Sequence, residues 1–555
     1  MNKYLSNRLI QLLIIVISAL LFIPFLGNVH LFDWDEINFA EAAREMIVTK
    51  NYLSVQIDFQ PFWEKPPLFI WMQVLSMKIF GINEFAARFP NAICGIVTLL
   101  VLFHIGRKLL NNFFGLLWVM VYACSILPFF YFKSGIIDPW FNLFIFLSIY
   151  YFSQYILESI PQKKNIYISL SAFFIGLGIL TKGPAALLIF MLTFTIFFII
   201  KMFKVKIKFK HLLMFIVIVV LVGGFWFILQ IVTGHFSVIK DFIAYQIRLL
   251  TTKDAGHGGF LLYHFVVLFV GVFPASIFAL LSFRTEKKYD REPVHEFKNW
   301  MMILLWTVLI LFTLVKTKII HYSSLCYFPL TMLGAYVIFK FYNLKQNIPK
   351  WMKMLIVFLS IFWGMIIVGL QLVAMNKDKI IASGLIHDQF AVGNLQADVA
   401  WSGYEFLIGI AFIVVITLLY VSQKLSKETQ IIATFISTLL FIYASVLFIT
   451  PKIEGYTQRA AIEFYKNKQN ENCYIHTLGF KSYAHLFYFN KPKPANPDAW
   501  QESWLINGNV DKPVYFVIKN SSSKEYLNRY PQLKVLYEKN GFVFVKRDIP
   551  KIKLY

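Results

Sequence analysis

The chain has 555 residues, of which 58% are hydrophobic, 18% aromatic and only 15% charged, with a mean hydropathy of +0.62. No soluble core hides that much apolar surface, so a water-soluble globular protein is excluded and a polytopic membrane protein is implied. The 53 Lys and Arg outweigh the 30 Asp and Glu to give a net charge of +23, but the excess follows the loops of a membrane topology and requires no nucleic-acid partner.

Apolar runs close to the roughly 20 residues needed to cross a bilayer recur along the chain. They fall at about 9–27, 86–106, 113–132, 137–157, 165–180, 184–200, 211–233, 261–283, 299–315, 323–342, 352–374, 403–421 and 430–449, about 13 in all. The first, Leu9 to Gly27, lacks a small-residue cleavage site and reads as a retained span. Loops 107–112, 158–165, 201–210, 284–298, 343–351 and 422–429 hold 18 Lys and Arg in 56 residues. The opposite loops (28–85, 133–136, 181–183, 234–260, 316–322 and 375–402) hold 13 in 127 residues. The positive-inside rule therefore places the N-terminus in the cytoplasm, and residues 28–85 and the tail from Thr450 outside. Cys94, Cys124 and Cys326 fall within spans and Cys473 stands alone, so neither a disulfide framework nor a zinc-type pair follows.

The segment between the first two spans collects polar chemistry. It reads Asp33-Trp34-Asp35-Glu36, then Glu41, Arg44 and Glu45, then Trp63-Glu64-Lys65-Pro66-Pro67. Charges beside hydrocarbon are costly, so such a cluster is a functional-site hypothesis by default. Ile37, Ala40, Ala43 and Ile47 recur at helical spacing, which predicts an amphipathic helix over 36–49 lying along the membrane surface. Pro67–Phe80 is apolar but too short to span, and reads as a second interfacial or re-entrant helix. Further along the same side lie Lys133–Asp138, Thr181-Lys182-Gly183-Pro184, a segment carrying Arg248 and His257, and Lys316–Tyr322. From about 450 the chain becomes rich in Lys and Asn. Short β-like runs at 473–478, 514–518, 534–537 and 542–545 alternate with helical stretches at 457–468 and 523–529. Residues 450–555 thus read as a small α/β domain appended to a membrane domain of residues 1–449, and His476 and His485 within it read as surface residues.

Carboxylates and cations gathered at one membrane surface suit group transfer from a lipid phosphate. A carboxylate takes the proton of an attacking hydroxyl while Lys and Arg stabilise the departing phosphate. The run Asp35-Glu36-Ile37-Asn38-Phe39-Ala40-Glu41-Ala42-Ala43-Arg44-Glu45-Met46 resembles the DE-x-x-(Y/F)-A-E-x-x-R-E-M signature of the bacterial aminoarabinose lipid A transferases. Those enzymes belong to the protein O-mannosyltransferase-like superfamily with the GT-C fold. Phe62–Pro67 matches the family's (F/W)-E-K-P. Asp138-Pro139, Thr181–Pro184 and Lys318–Tyr322 follow its later motifs in order, so the resemblance covers about residues 8 to 450.

The resemblance implies an all-α polytopic membrane glycosyltransferase of about 13 transmembrane helices, embedded in a bacterial inner membrane, with its site and C-terminus on the periplasmic side. It implies a polyprenyl-phosphate-linked sugar as donor and lipid A, another glycan or a protein hydroxyl as acceptor. Asp35 and Asp138 are then the catalytic carboxylates. Lys65, Arg248, Lys318 and Tyr322 hold the donor phosphate. Glu64 and His257 align with a divalent-metal site of relatives, although Gly258-Gly259 replaces the Arg and Pro that often follow that histidine. Two other readings compete: a lipid-linked sugar transporter, which needs ionisable groups deep within spans, and a non-catalytic scaffold, which leaves the Asp35 and Glu64-Lys65 clusters unexplained.

Overall fold

The computed structural model describes residues 6–62, 64–204, 206–251, 258–283, 292–344, 347–422 and 424–550. Helix α1 (Asn7–Phe22) leads into α2 (Asp35–Thr49), a small hairpin β1 (Gln56–Ile57) and β2 (Gln60–Pro61), and α3 (Leu68–Phe80). The bundle continues with α4 (Glu84–Leu109), α5 (Asn112–Ala123), α6 (Ile126–Tyr131), α7 (Asp138–Leu157), α8 (Pro161–Lys182) and α9 (Ala185–Ile200). Next come α10 (Phe209–Gly223), α11 (Phe225–Val232), α12 (Ser237–Thr251), α13 (Tyr263–Gly271), α14 (Ala275–Ala279) and α15 (Glu292–Leu314). A 3₁₀ segment, Ile320–Cys326, precedes α16 (Tyr327–Asn343) and α17 (Lys350–Met375). The short α18 (Lys377–Ala382) and α19 (Gln389–Leu395) then lead to α20 (Phe406–Val421), α21 (Lys427–Ala444) and α22 (Thr450–Gly455).

Each of the thirteen apolar runs contains a helix or a helix pair. Among the described residues, seven helices are long and apolar enough to cross a membrane, or nine if two bent pairs each count as one span. The pair α10–α11 bends by 59° after Gly223, and α13–α14 by 110° where Pro274, which has no N–H to continue a helix, heads the second piece. The other four runs fall on α1, α5, α9 and α20, which have 12 to 16 residues each. Length and composition therefore support nine of the thirteen expected crossings. On α1, Ile10, Ile14 and Phe22 are buried against the bundle while Leu12 (55% exposed) and Leu20 (63% exposed) face outward, as hydrocarbon-facing positions do.

Helix α2 departs from expectation. Every residue from Glu36 to Met46 is buried, so it is not a surface-lying amphipathic helix. It is sandwiched between α3 and the C-terminal region, which covers the face that would otherwise be wet. Its charges are neutralised in place: Arg44 binds Glu41 through Nε (2.7 Å) and a terminal nitrogen (2.6 Å).

The C-terminal region contains α23 (Arg459–Asn467), β3 (Tyr474–Leu478), α24 (Ala484–Tyr488), α25 (Glu502–Asn507), β4 (Val514–Lys519), α26 (Asn520–Arg529), β5 (Lys534–Lys539) and β6 (Phe542–Arg547). All four predicted β runs and both helices are present. The sheet order is β3-β4-β6-β5, with β3 parallel to β4 and the other pairs antiparallel. Alternate β4 residues serve two cores: Tyr515 and Val517 join α2 and α23, while Val514, Phe516 and Ile518 pack with Leu505 and Ile506. The sheet is tied to the 28–85 segment by Leu31 N–H to Tyr488 Oη (2.7 Å), Arg44 to the Lys491 carbonyl (3.0 Å) and Trp500 Nε1–H to the Asp58 carbonyl (2.8 Å).

Candidate active site

Asp35, Glu64, Lys65, Asp138, Arg248, Lys318 and Tyr322 all line one cavity of about 1130 Å³. His257, the remaining residue singled out from the sequence, lies outside the described residues.

Both carboxylates begin helices. Asp35 is the first residue of α2 and Asp138 the first of α7, with Pro139 preset for a helix start. Asp35 is partly open to the cavity, its side chain 42% exposed, and its Oδ2 lies 3.4 Å from His321 Nε2. Asp138 makes no cap to its own helix. Its Oδ1 instead accepts from Lys182 Nζ at 2.5 Å.

Lys182 is delivered by the turn that ends α8. Gly183 follows at φ +88°, a conformation L side chains rarely adopt, and a Cβ there would come within 2.5 Å of Phe242 on α12. The Lys182 ammonium also sits 5.3 Å from the Tyr322 ring centroid. Lys65 is half-buried in the cavity wall. Burial lowers its pKa and the Lys182 charge adds to that, while Glu64, Asp35 and Asp138 oppose the shift. Those four charges therefore surround Lys65, and this alternation of cations and carboxylates is the electrostatic core of the site.

Lys318 does two jobs at once. Its ammonium donates to the carbonyls of Phe312 (2.9 Å) and Thr313 (2.6 Å), satisfying the C-terminal end of α15, and burial lowers its pKa. Arg248 reaches the cavity wall from the last turn of α12.

A rigid support lies behind Asp35. Glu36 pairs with Arg88 at 2.9 and 2.7 Å and accepts the N–H groups of Phe32 (2.9 Å) and Gly135 (2.6 Å). Arg88 adds bonds to the carbonyls of Leu26, Val29 and His30. The neighbour of the proposed base is thus a structural anchor. Burial raises the Asp33 pKa against the Tyr483 N–H, which donates to it at 3.3 Å.

Two contributors were not foreseen. His321, within the Lys318–Tyr322 motif but given no role of its own there, is the group facing Asp35. Lys481, from the C-terminal region, lines the cavity with its ammonium 4.9 Å from the Trp34 ring centroid. A lysine between Phe480 and Ser482 carries no motif, and only the fold brings it here. For the divalent ion that the resemblance suggested, no group of three or more His, Cys, Asp or Glu gathers among the described residues. Glu64 alone does not make a metal site.

The chain is similar to several known proteins. The family model described as dolichyl-phosphate-mannose-protein mannosyltransferase matches residues 64–226. An undecaprenyl phosphate-alpha-4-amino-4-deoxy-L-arabinose arabinosyl transferase of Pectobacterium atrosepticum is 25% identical over 338 residues, covering 59% of each chain. One from Wigglesworthia glossinidia brevipalpis is 25% identical over 359 residues, covering 62% of this chain and 61% of that one. The crystal structure of ArnT from Cupriavidus metallidurans bound to undecaprenyl phosphate superposes with a TM-score of 0.73, covering 98% of both chains at 14% identity.

Over residues 64–226 the chain resembles the dolichyl-phosphate-mannose-protein mannosyltransferase family.

Its fold is the GT-C fold over essentially the whole length, and it is a multi-pass inner-membrane protein. The sequence matches span about 59% of the length of the curated relatives. Residues of both motif-bearing segments, Asp35, Glu36, Asn38 and Phe39 from the first and Glu64 and Lys65 from the second, line the same cavity.

Proposed function

We propose that this protein is an inverting glycosyltransferase that moves a sugar from a polyprenyl-phosphate donor to an acceptor hydroxyl on the periplasmic side of the membrane. The observation that carries the reading is the single cavity holding Asp35, Lys65, Asp138, Lys182 and Tyr322 on a polar floor. Its walls include the apolar side chains of Phe141, Leu188 and Ile189, which suit an isoprenoid. Asp35 takes the acceptor's proton, the acceptor oxygen bonds to the anomeric carbon, and the bond from that carbon to the phosphate oxygen breaks. Lys65, helped by Arg248, the remaining donor of Lys318, and Tyr322, holds the departing polyprenyl phosphate. Asp138 fixes Lys182 beside that phosphate. Residues 450–555 form an outer domain that shapes the acceptor entrance, and the Lys- and Arg-rich loops face the cytoplasm.

Lipid A or another envelope glycan is the first choice of acceptor, following the arabinosyl transferases. A protein hydroxyl is the second, favoured by the match to the protein mannosyltransferase model. Mass spectrometry of lipid A and of polyprenyl-phosphate sugars, in cells carrying the wild-type chain or Asp35→Asn, decides between them. Loss of a lipid A sugar with accumulation of its donor supports the first choice. Donor accumulation with unchanged lipid A moves the acceptor to protein or another glycan. No change in either pool overturns transfer at Asp35.

A further inference from the structure

A second cavity, of about 610 Å³, opens between the β1–β2 hairpin and the C-terminal region. Its wall combines aromatic and polar groups: Phe480, Tyr483 and Tyr526 with Asp58, His476 and Glu502. His485 also lines it. That residue is only 4% exposed rather than at the surface, as the sequence suggested, because α24 packs inward, and its Nδ1 has no hydrogen-bond partner. Burial, with the neighbouring His476 and Lys491, lowers the His485 pKa well below the usual histidine value, so the ring is neutral at pH 7.

Aromatic faces beside carboxylates and neutral imidazole match the chemistry of a sugar, which offers C–H faces for stacking and hydroxyls that both donate and accept. Asp58 is paired with Lys491 at 2.6 Å and Lys481 offsets Glu502 on the same wall, so the lining is close to charge-balanced and suits a neutral ligand. Lys481 lines both cavities while Gly479, Phe480, Ser482 and Tyr483 line the second, so the segment Gly479–Tyr483 is the partition between them. Gly479 holds that partition at φ +76°, where a Cβ would come within 2.8 Å of the Tyr526 ring.

We infer that the second cavity is a saccharide subsite: it docks an uncharged, hydroxyl-rich part of the acceptor and leaves the reacting hydroxyl to pass Lys481 and Trp34 toward Asp35. This rests on the glycosyltransferase reading and adds the acceptor's chemical class.

The test uses the full chain in nanodiscs and saturation-transfer NMR with a panel of neutral disaccharides of glucosamine, glucose, mannose and galactose, plus the phosphorylated glucosamine disaccharide. At least one neutral disaccharide is expected to bind. Tyr526→Ala and Glu502→Gln, both partly solvent-facing, are expected to weaken it about fivefold each, the loss of one stacking or hydrogen-bonding contact. Polyprenyl phosphate binding, measured in parallel, is expected to be unchanged by either variant. The inference is overturned if no neutral disaccharide binds, if the variants bind as the wild type does, if the phosphorylated form binds more tightly, or if polyprenyl phosphate displaces the sugar. Failure of the wider reading is distinguishable: polyprenyl phosphate then fails to bind, or binds equally well to Lys65→Met, whatever the sugar does.

Discussion

Lys182 Nζ stands 2.5 Å from Asp138 Oδ1, so the last residue of α8 and the first residue of α7 are joined by a mostly enclosed ion pair. Removing one partner of such a pair leaves an uncompensated charge, which costs about 3–5 kcal/mol, whereas removing both costs much less. Lys182→Met should therefore lower the thermal unfolding midpoint in detergent markedly. The double variant Lys182→Met, Asp138→Asn should recover most of that loss. Equal midpoints for the single and double variants would show that the pair is not coupled.

His321 faces Asp35 at 3.4 Å and is the group that can orient its carboxylate. At 3.4 Å this is a polar contact short of a full hydrogen bond, worth up to about 1 kcal/mol, so His321→Phe should reduce turnover up to roughly fivefold. Under the proposed function, affinity for the polyprenyl donor should hardly change, because Lys65 and Tyr322, not His321, are assigned to its phosphate. A kinetic split of KM and kcat reads this directly. A raised KM with intact kcat would assign His321 to binding instead.

Gly183 carries a backbone conformation and a close contact that no other residue accepts. Gly183→Ala should cost about 1–3 kcal/mol from strain alone, and more from the collision with Phe242. Because Lys182 rides on the same turn, activity should fall further than stability does. Adding Phe242→Leu should relieve the collision while leaving the strain. Partial recovery of both unfolding midpoint and activity is the expected result.

Glu45 is fully buried beside Glu41, and burial with that neighbour's charge pushes its pKa up to about 9 from an ordinary 4.5. The native state then holds a proton that the unfolded chain releases near 4.5. Its stabilising contribution is complete below that value and is lost progressively as pH rises toward 9. Wild-type unfolding midpoints should decline between pH 5 and 8.5. Glu45→Gln, which keeps a donor toward Glu41 without an ionisable proton, should flatten that decline. An unchanged slope in the variant would remove Glu45 as its source.

Much of this architecture is legible in the sequence because hydrocarbon leaves few choices. Long apolar runs must be helices, and the runs at 474–478 and 542–547 alternate or bury as strands do. The motif residues converge because Asp35, Asp138 and Lys182 each sit at a helix terminus, where chain direction is read from local signals such as Pro139 and Gly183. What local signals do not carry is cover. The spacing of Ile37, Ala40 and Ala43 announces one buried face of α2. The other face is closed by α24, whose sequence gives no hint of where it docks. The same gap hid Lys481 from the first cavity and His485 from the second.

The hydrogen bond from Tyr483 to Asp33 joins residues 450 positions apart. At ribosomal rates of 5–20 residues per second, the segment bearing Asp35 waits roughly 20 to 90 s for its covering partner to be made. During that interval Arg44 and Glu45 lack the roof that later shuts them from water, and the pocket wall formed by Lys481 does not yet exist. The chain's beginning is therefore finished by its end. A ribosome halted just after α22 leaves a chain that carries every motif residue but no closed cavity, so the cavity is completed in one late step.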